Sequence, residues 1–218
     1  WQTDSQGGNL YEYNEGFMNV ARKLLKGDED QLEAFVDKFK SNPAHAHTIN
    51  YIADNNGFTL MDLVSYERKH NEDNGEGNRD GKDYNISWNC GEEGPSKSRK
   101  IRSMRLQNRK NAVMMLFLAQ GIPLIYAGDE FGNSQNGNNN AYCQDNETGW
   151  TDWSAMGSNR KFTEFLKEII SFRKSHKILH TEKQLFQNDY KYYGLPDISF
   201  HGTKAWYPEM DYYNRHMG

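Results

Sequence analysis

Three polar stretches hold the residue types that could handle sugars and protons. Asp54-Asn-Asn-Gly57 closes one short apolar run, and Gly128-Asp-Glu130 closes another. Residues 136–146 gather amides with Tyr142 and Asp145, and Trp150 and Trp153 follow. Cleaving a glycosidic bond needs an acid, a nucleophile or base, and stabilisation of an oxocarbenium-like transition state. A carboxylate at the end of a strand could serve. The amides of Asn55 and Asn56 can hydrogen-bond sugar hydroxyls but cannot supply negative charge. If strand geometry runs on, Asp54 and Asn56 share a face. The other reading is a plain polar turn. Asp129 and Glu130 are adjacent and would face opposite ways on a strand. They fit loop anchoring through backbone N–H groups better than a catalytic pair, with substrate orientation as the alternative. Asn139, Tyr142 and Asp145, with the tryptophans nearby, suit a rim that touches sugar hydroxyls and ring faces.

Other clusters carry weaker signals. Residues 71–80 are rich in oxygen ligands but lack EF-hand spacing and its terminal Glu, so no metal is expected. His45 and His47 have no third ligand nearby, which argues against zinc. The basic run from Lys97 to Lys110 reads as a solvated helix face, because net charge is −4 and no nucleic-acid motif accompanies it. No cofactor, nucleic acid or membrane is implied. Cys90 and Cys143 form no disulfide framework and favour a reduced, cytoplasmic setting.

The elements that must position these residues alternate. Residues 17–25 and 30–39 carry apolar side chains at helical spacing, the first ending at Lys26-Gly27. Residues 1–16 read as loop. Residues 48–53 and 123–127 read as strands, 59–65 as a short helix and 97–120 as a long one. The second half of the long helix is nearly all apolar and should be buried. Residues 69–97 and 128–153 are long loops, the first anchored by Trp88. Residues 162–173 read as a helix, and 184–189, 198–201 and 204–207 as short strands. The order predicts α/β architecture with parallel strands and crossover helices over residues 1–177, and a second domain over 178–218. Two strands cannot close a barrel of eight. A mean hydropathy of −0.98 is polar for a self-sufficient domain, while 13% aromatic residues restore burial capacity.

Several motifs stand in a specific order: Gly57-Phe-Thr-Leu-Met-Asp-Leu-Val-Ser-Tyr66, Lys69-His-Asn71, Asn78-Arg-Asp-Gly81, Ser87-Trp-Asn-Cys-Gly91, Gly121-Ile-Pro123, Gly128-Asp-Glu130 and Gly137-Asn-Asn-Asn-Ala-Tyr-Cys-Gln-Asp-Asn146. Together they resemble the glycogen-debranching, isoamylase and pullulanase branch of the α-amylase superfamily, glycoside hydrolase family 13. The resemblance implies the later part of a (β/α)₈ TIM barrel followed by the start of a β-sandwich. It also implies α-1,6-glucan debranching of glycogen, starch or pullulan, with an α-glucan as partner. It places a third catalytic carboxylate at Asn56 and a His at Asn55, so both positions are degenerate. The candidate substrate contacts are Asp54, Trp88, Asp129, Glu130, Asn139, Tyr142 and Asp145.

By the same resemblance, the nucleophile and acid precede Trp1, so the chain alone is expected to be inactive. An incomplete barrel also implies exposed sheet edges and self-association through them. Two alternatives stay open: a catalytically degenerate α-glucan-binding protein, and a 4-α-glucanotransferase relative. A pullulanase-like parent would allow an extracellular location.

Overall fold

The computed structural model describes residues 11–42, 47–181, 184–189 and 194–201. Three parallel strands lie in the order β1 (Tyr11–Tyr13), β2 (His47–Asn50) and β3 (Ile122–Pro123). Tyr11 pairs with His47, and Ile49 with Ile122. Helices α1 (Glu15–Lys26) and α2 (Leu32–Lys40) connect β1 to β2. Helices α3 (Leu60–Leu63) and α4 (Arg99–Leu118) connect β2 to β3. Two α-helices follow β3 in sequence, the short α5 (Ala155–Ser158) and the long α6 (Arg160–Ser175).

The α/β expectation holds, with three strands where two were expected. Residues 1–16 do not all read as loop, because Tyr11–Tyr13 is a strand. Three residues between Leu10 and Asn14 are too short an alternation to mark a strand, and only pairing with β2 makes them one. Both expected strands are shorter than their apolar runs. Asn50 is the last residue of β2, and one further bond, Leu124 N–H to the Asn50 carbonyl at 2.8 Å, extends the ladder. Pro123 has no N–H to give, and no fourth strand pairs with β3 among the described residues.

Local chemistry explains the helix ends. The Asn14 side chain accepts the Phe17 N–H at 3.0 Å and caps α1. Gly27, at φ 88°, ends it in the left-handed region, its N–H reaching the Lys23 and Leu24 carbonyls. The α4 C-terminus is closed from outside. Arg173 on α6 donates to the carbonyls of Phe117 and Ala119 at 2.7 Å and of Gly121 at 2.5 Å. A cation on the last carbonyls also suits the helix dipole.

The core lies between the sheet and its helices. Phe17, Phe58 and Phe162 are fully buried, with Ile52, Leu60, Val113 and Leu116 around them. Buried aromatic side chains of this size supply much of the hydrophobic stabilisation. The apolar half of α4 is not buried all round: Ala112, Val113, Leu116 and Phe117 face in, but Met114 is exposed on the outer side. Its basic half is not wholly solvated either. Arg105 and Arg109 are buried, continuing the inward stripe at helical spacing.

After α6 a 3₁₀ turn covers Lys177–His180, and the described chain beyond it forms no helix or strand. Residues 184–189 and 198–201 form no strand; Asp197 instead holds the turn, accepting the Phe186 and Asn188 N–H groups at 2.9 and 3.1 Å. The strand expected over 204–207, His45 and Trp1 lie outside the described residues. This stretch is tied back to the α/β body. Gln120 Nε2 donates to the Ile178 carbonyl at 2.7 Å, and Asn42 Nδ2 to the Thr181 carbonyl at 2.6 Å.

Candidate functional site

Parallel strands send their carboxyl ends the same way, so the loops after β2 and β3 meet at one end of the sheet. The strand does not persist through Asp54, and the expected shared face of Asp54 and Asn56 is not formed. Asp54 Oδ1 accepts the Asn56 N–H at 3.0 Å, closing a polar turn, and Asn55 and Asn56 are exposed. Neither amide ionises, so this turn offers hydrogen bonds without an acid, a base or a fixed charge at positions 55 and 56. Arg22 interacts electrostatically with Asp54 of this turn. It is buried and spends its donors on the carbonyls of Ile52, at 2.7 Å, and Asn85, at 3.1 Å. Burial lowers its pKa to about 10, and Asp54, Tyr51 and Asp129 act in the opposite direction.

Two buried acids tie α3 to the loop after β3. Asp129 is 2% exposed, and its Oδ1 accepts the Leu60 N–H at 2.8 Å, joining the loop after β3 to the first turn of α3. Its carboxylate therefore faces protein, and the expected substrate contact through Asp129 does not match this placement. Glu130 Oε2 accepts the Gly128 N–H at 2.8 Å. Asp62, fully buried on α3, accepts from Ser134 Oγ at 2.5 Å and from the Gln135 N–H at 2.8 Å.

Burial pushes Asp129 up to about 7 and Asp62 up to about 6. For Asp129 the Leu60 hydrogen bond and Arg109 act downward but do not prevail. An unfolded Asp titrates near 3.8. The folded chain thus holds more protons between these values, so stability falls as pH rises from about 4 to about 7. Asp129→Asn keeps an acceptor for Leu60 without the charge. Its unfolding profile should be flatter over that window and its stability at pH ~8 higher than wild type by roughly 2–4 kcal/mol. Denaturant midpoints measured across pH check this; parallel wild-type and variant profiles would contradict it.

The two long loops are sewn together by amides. Asn139 donates its backbone N–H to Asn71 Oδ1 at 2.9 Å and accepts from Asn71 Nδ2 at 2.8 Å. Its own Nδ2 reaches the Lys82 carbonyl at 2.7 Å and Asn85 Oδ1 at 2.9 Å. Asn138 Nδ2 donates to Asn74 Oδ1 at 2.8 Å. Asp80 Oδ2 accepts from Asn74 at 2.7 Å and Asn140 at 2.8 Å. The oxygen-rich run at 71–80 thus serves the opposite loop. Ile86 sits at φ 53°, a strained value for a β-branched residue. Arg22 on the Asn85 carbonyl and Asn139 on the Asn85 side chain fix the residue just before it.

The predicted sugar-contacting residues therefore separate into two groups. Asn139 is buried at 3% exposure and structural in its contacts; Trp88 packs half-buried, its N–H on the Leu63 carbonyl at 3.0 Å. Tyr142 projects at 87% exposure. Asp145 accepts from Trp150 Nε1 at 3.0 Å, orienting an indole that is over half exposed. Trp153, also exposed, lies 5.3 Å from the buried Phe131 ring. Asn71, Asn74, Asn85 and Asp62 were not singled out individually from sequence. Their signal was the pairing of two amide-rich loops, which a buried lattice explains as well as a sugar rim does.

No protein-family model matches the chain. Over 191 residues it is 38% identical to a glycogen operon protein GlgX homolog of Mycobacterium tuberculosis, an alignment covering 84% of this chain and 26% of that one. It is 39% identical over 170 residues to chloroplastic isoamylase 1 of Arabidopsis thaliana, covering 74% of this chain and 22% of the relative. Among solved structures it is similar to a pullulanase from Paenibacillus barengoltzii complexed with maltotetraose, with a TM-score of 0.58, 17% identity, and coverage of 78% of this chain and 25% of that one. The chain belongs to the glycogen-debranching, isoamylase and pullulanase branch of the α-amylase family of glycoside hydrolases. It spans about a quarter of the length of these curated relatives.

Proposed function

We propose that this chain is part of an α-glucan-debranching glycoside hydrolase directed at α-1,6 branch points, and that it supplies the later strands and helices of a (β/α)₈ barrel. The 38% identity over 191 residues, 84% of this chain, is the observation that carries this reading. On it, β2 and β3 are late barrel strands, and the residues after 178 lead toward a β-sandwich. The turn at Asp54 to Gly57 and the rim of Tyr142, Trp150 and Trp153 face the glucan. The amide lattice and the two buried acids hold that rim to the turn.

Asn55 and Asn56 favour a second reading, a relative that binds α-glucan with little or no turnover. Both readings require the rim to hold glucan. Isothermal titration of the full-length protein with maltotetraose should show saturable binding, and Trp150→Ala should weaken it about tenfold, the loss of one aromatic stacking contact. Unchanged affinity in Trp150→Ala would remove the rim from the site.

A further inference from the structure

We propose that Asn56 is a self-modifying position, which in the folded protein loses its side-chain amide to become a carboxylate ahead of the other Asn-Gly steps. The chain holds three such steps, Asn56-Gly57, Asn74-Gly75 and Asn136-Gly137. At an Asn-Gly step the following backbone nitrogen can attack the side-chain carbonyl carbon, because glycine puts no Cβ in the way. What separates the three steps is how tightly the fold holds the two reacting groups.

At Asn56 neither group is held. The residue lies in an exposed bend outside any helix or strand. Its backbone N–H is tied to Asp54 Oδ1, but among the described residues no hydrogen bond holds its side-chain amide or the Gly57 N–H. A Cβ at Gly57 would meet no atom beyond its chain neighbours within 4 Å. Phe58 and Thr59 are fully buried just after it, so the motion needed is confined to the bend.

The other two steps are held. Asn74 Oδ1 accepts from Asn138 Nδ2 and Gln144 Nε2, both at 2.8 Å, and its Nδ2 donates to Asp80 Oδ2 at 2.7 Å. The Gly75 N–H is taken by the Glu72 carbonyl at 3.3 Å. The Asn136 side chain is exposed, but Gly137 is buried and fixed on both sides. Its carbonyl accepts the His70 N–H at 2.7 Å, and its N–H is directed at Asp62. Tyr66 and His70 pack so closely that a Cβ there would come within 2.7 and 2.8 Å of them.

The reaction balances with water alone. The Gly57 nitrogen gives up its proton and bonds to Asn56 Cγ; the Cγ–Nδ2 bond breaks, and ammonia leaves with that proton. Water then opens the five-membered succinimide. Attack at Cγ restores the main chain and leaves an aspartate side chain, while attack at the backbone carbonyl carbon leaves isoaspartate. The aspartate product carries negative charge at the carboxyl end of β2, where the family resemblance places a catalytic carboxylate. Its effect on hydrolysis rests on the debranching reading above; the conversion itself does not.

The test ages the full-length protein in mildly alkaline buffer, which favours the deprotonated nitrogen. Peptide mass mapping with fragmentation then separates aspartate from isoaspartate at each step. Conversion at Asn56 should run at least ~tenfold faster than at Asn74 or Asn136, and the three rates should converge in denaturant, where no local opening is needed. Asn56→Gln would have to close a larger ring and should stay unchanged over the same period. Pullulan hydrolysis by the same samples should rise with the aspartate fraction in the wild type and stay level in Asn56→Gln. Comparable rates at the three steps in the folded protein, or no mass change at Asn56, would overturn the proposal. Conversion to aspartate without any gain in hydrolysis would uphold the modification and count against the debranching reading instead.

Discussion

Asn139→Ala should destabilise the protein by roughly 3 kcal/mol and release both long loops together. The side chain makes three hydrogen bonds at 2.7 to 2.9 Å, to Lys82, Asn85 and Asn71. Removing it leaves Asn85 Oδ1 without that donor in a place water does not reach, and takes one partner each from Asn71 Nδ2 and the Lys82 carbonyl. Buried polar groups that lose partners cost far more than an exposed hydrogen bond gains. Gly81→Ala should act in the same direction. Gly81 sits at φ 71°, and a Cβ there would overlap Asn139 Oδ1 and come within 2.7 Å of Asn71 Nδ2. Tyr142→Ala, on the same loop but exposed, should change stability by no more than about 0.5 kcal/mol. Chemical denaturation separates these cases. Amide exchange should show residues 69–82 and 137–140 opening as one unit in the Asn139 variant. Independent opening of the two loops would mean that the lattice does not couple them.

The second large effect concerns Asn56. The family resemblance places a catalytic carboxylate at that position, and the structure leaves its side chain exposed at the carboxyl end of β2. Asp54 does not stand in for it by strand geometry, because its carboxylate is turned onto the Asn56 N–H. Restoring charge with Asn56→Asp changes two atoms' chemistry without changing side-chain size. The variant should raise glucan hydrolysis by at least ~100-fold, the scale on which single catalytic groups act.

The helices were legible in the sequence because their signals are local. Gly27 and the apolar spacing of Phe17, Ala21 and Leu24 state where α1 stops and which side it buries, while its start at Asn14 shows only in the structure. Strand ends were less legible, since β1 exists only through pairing with β2, and β3 shortens where Pro123 and the sheet edge end the ladder. Arg105 and Arg109 read as solvent-facing from their charge. Their spacing with Ala112 and Leu116 was the better guide, and it places them on the buried stripe. Asn138 and Asn139 were misleading in a related way. An amide suits a sugar and a neighbouring loop equally, and only the fold shows which partner each one has. The ordered motifs from Gly57 to Asn146 carried the family, while the role of each residue within them needed the contacts.

The most direct measurement is glucan hydrolysis by the full-length protein beside its Asn56→Asp variant, on pullulan and on glycogen. A debranching-family protein held back by the amide at position 56 predicts slow or absent release of reducing ends by the wild type and a clear gain in the variant. Rapid hydrolysis by the wild type, unchanged in Asn56→Asp, would contradict that account and show that another group supplies the charge.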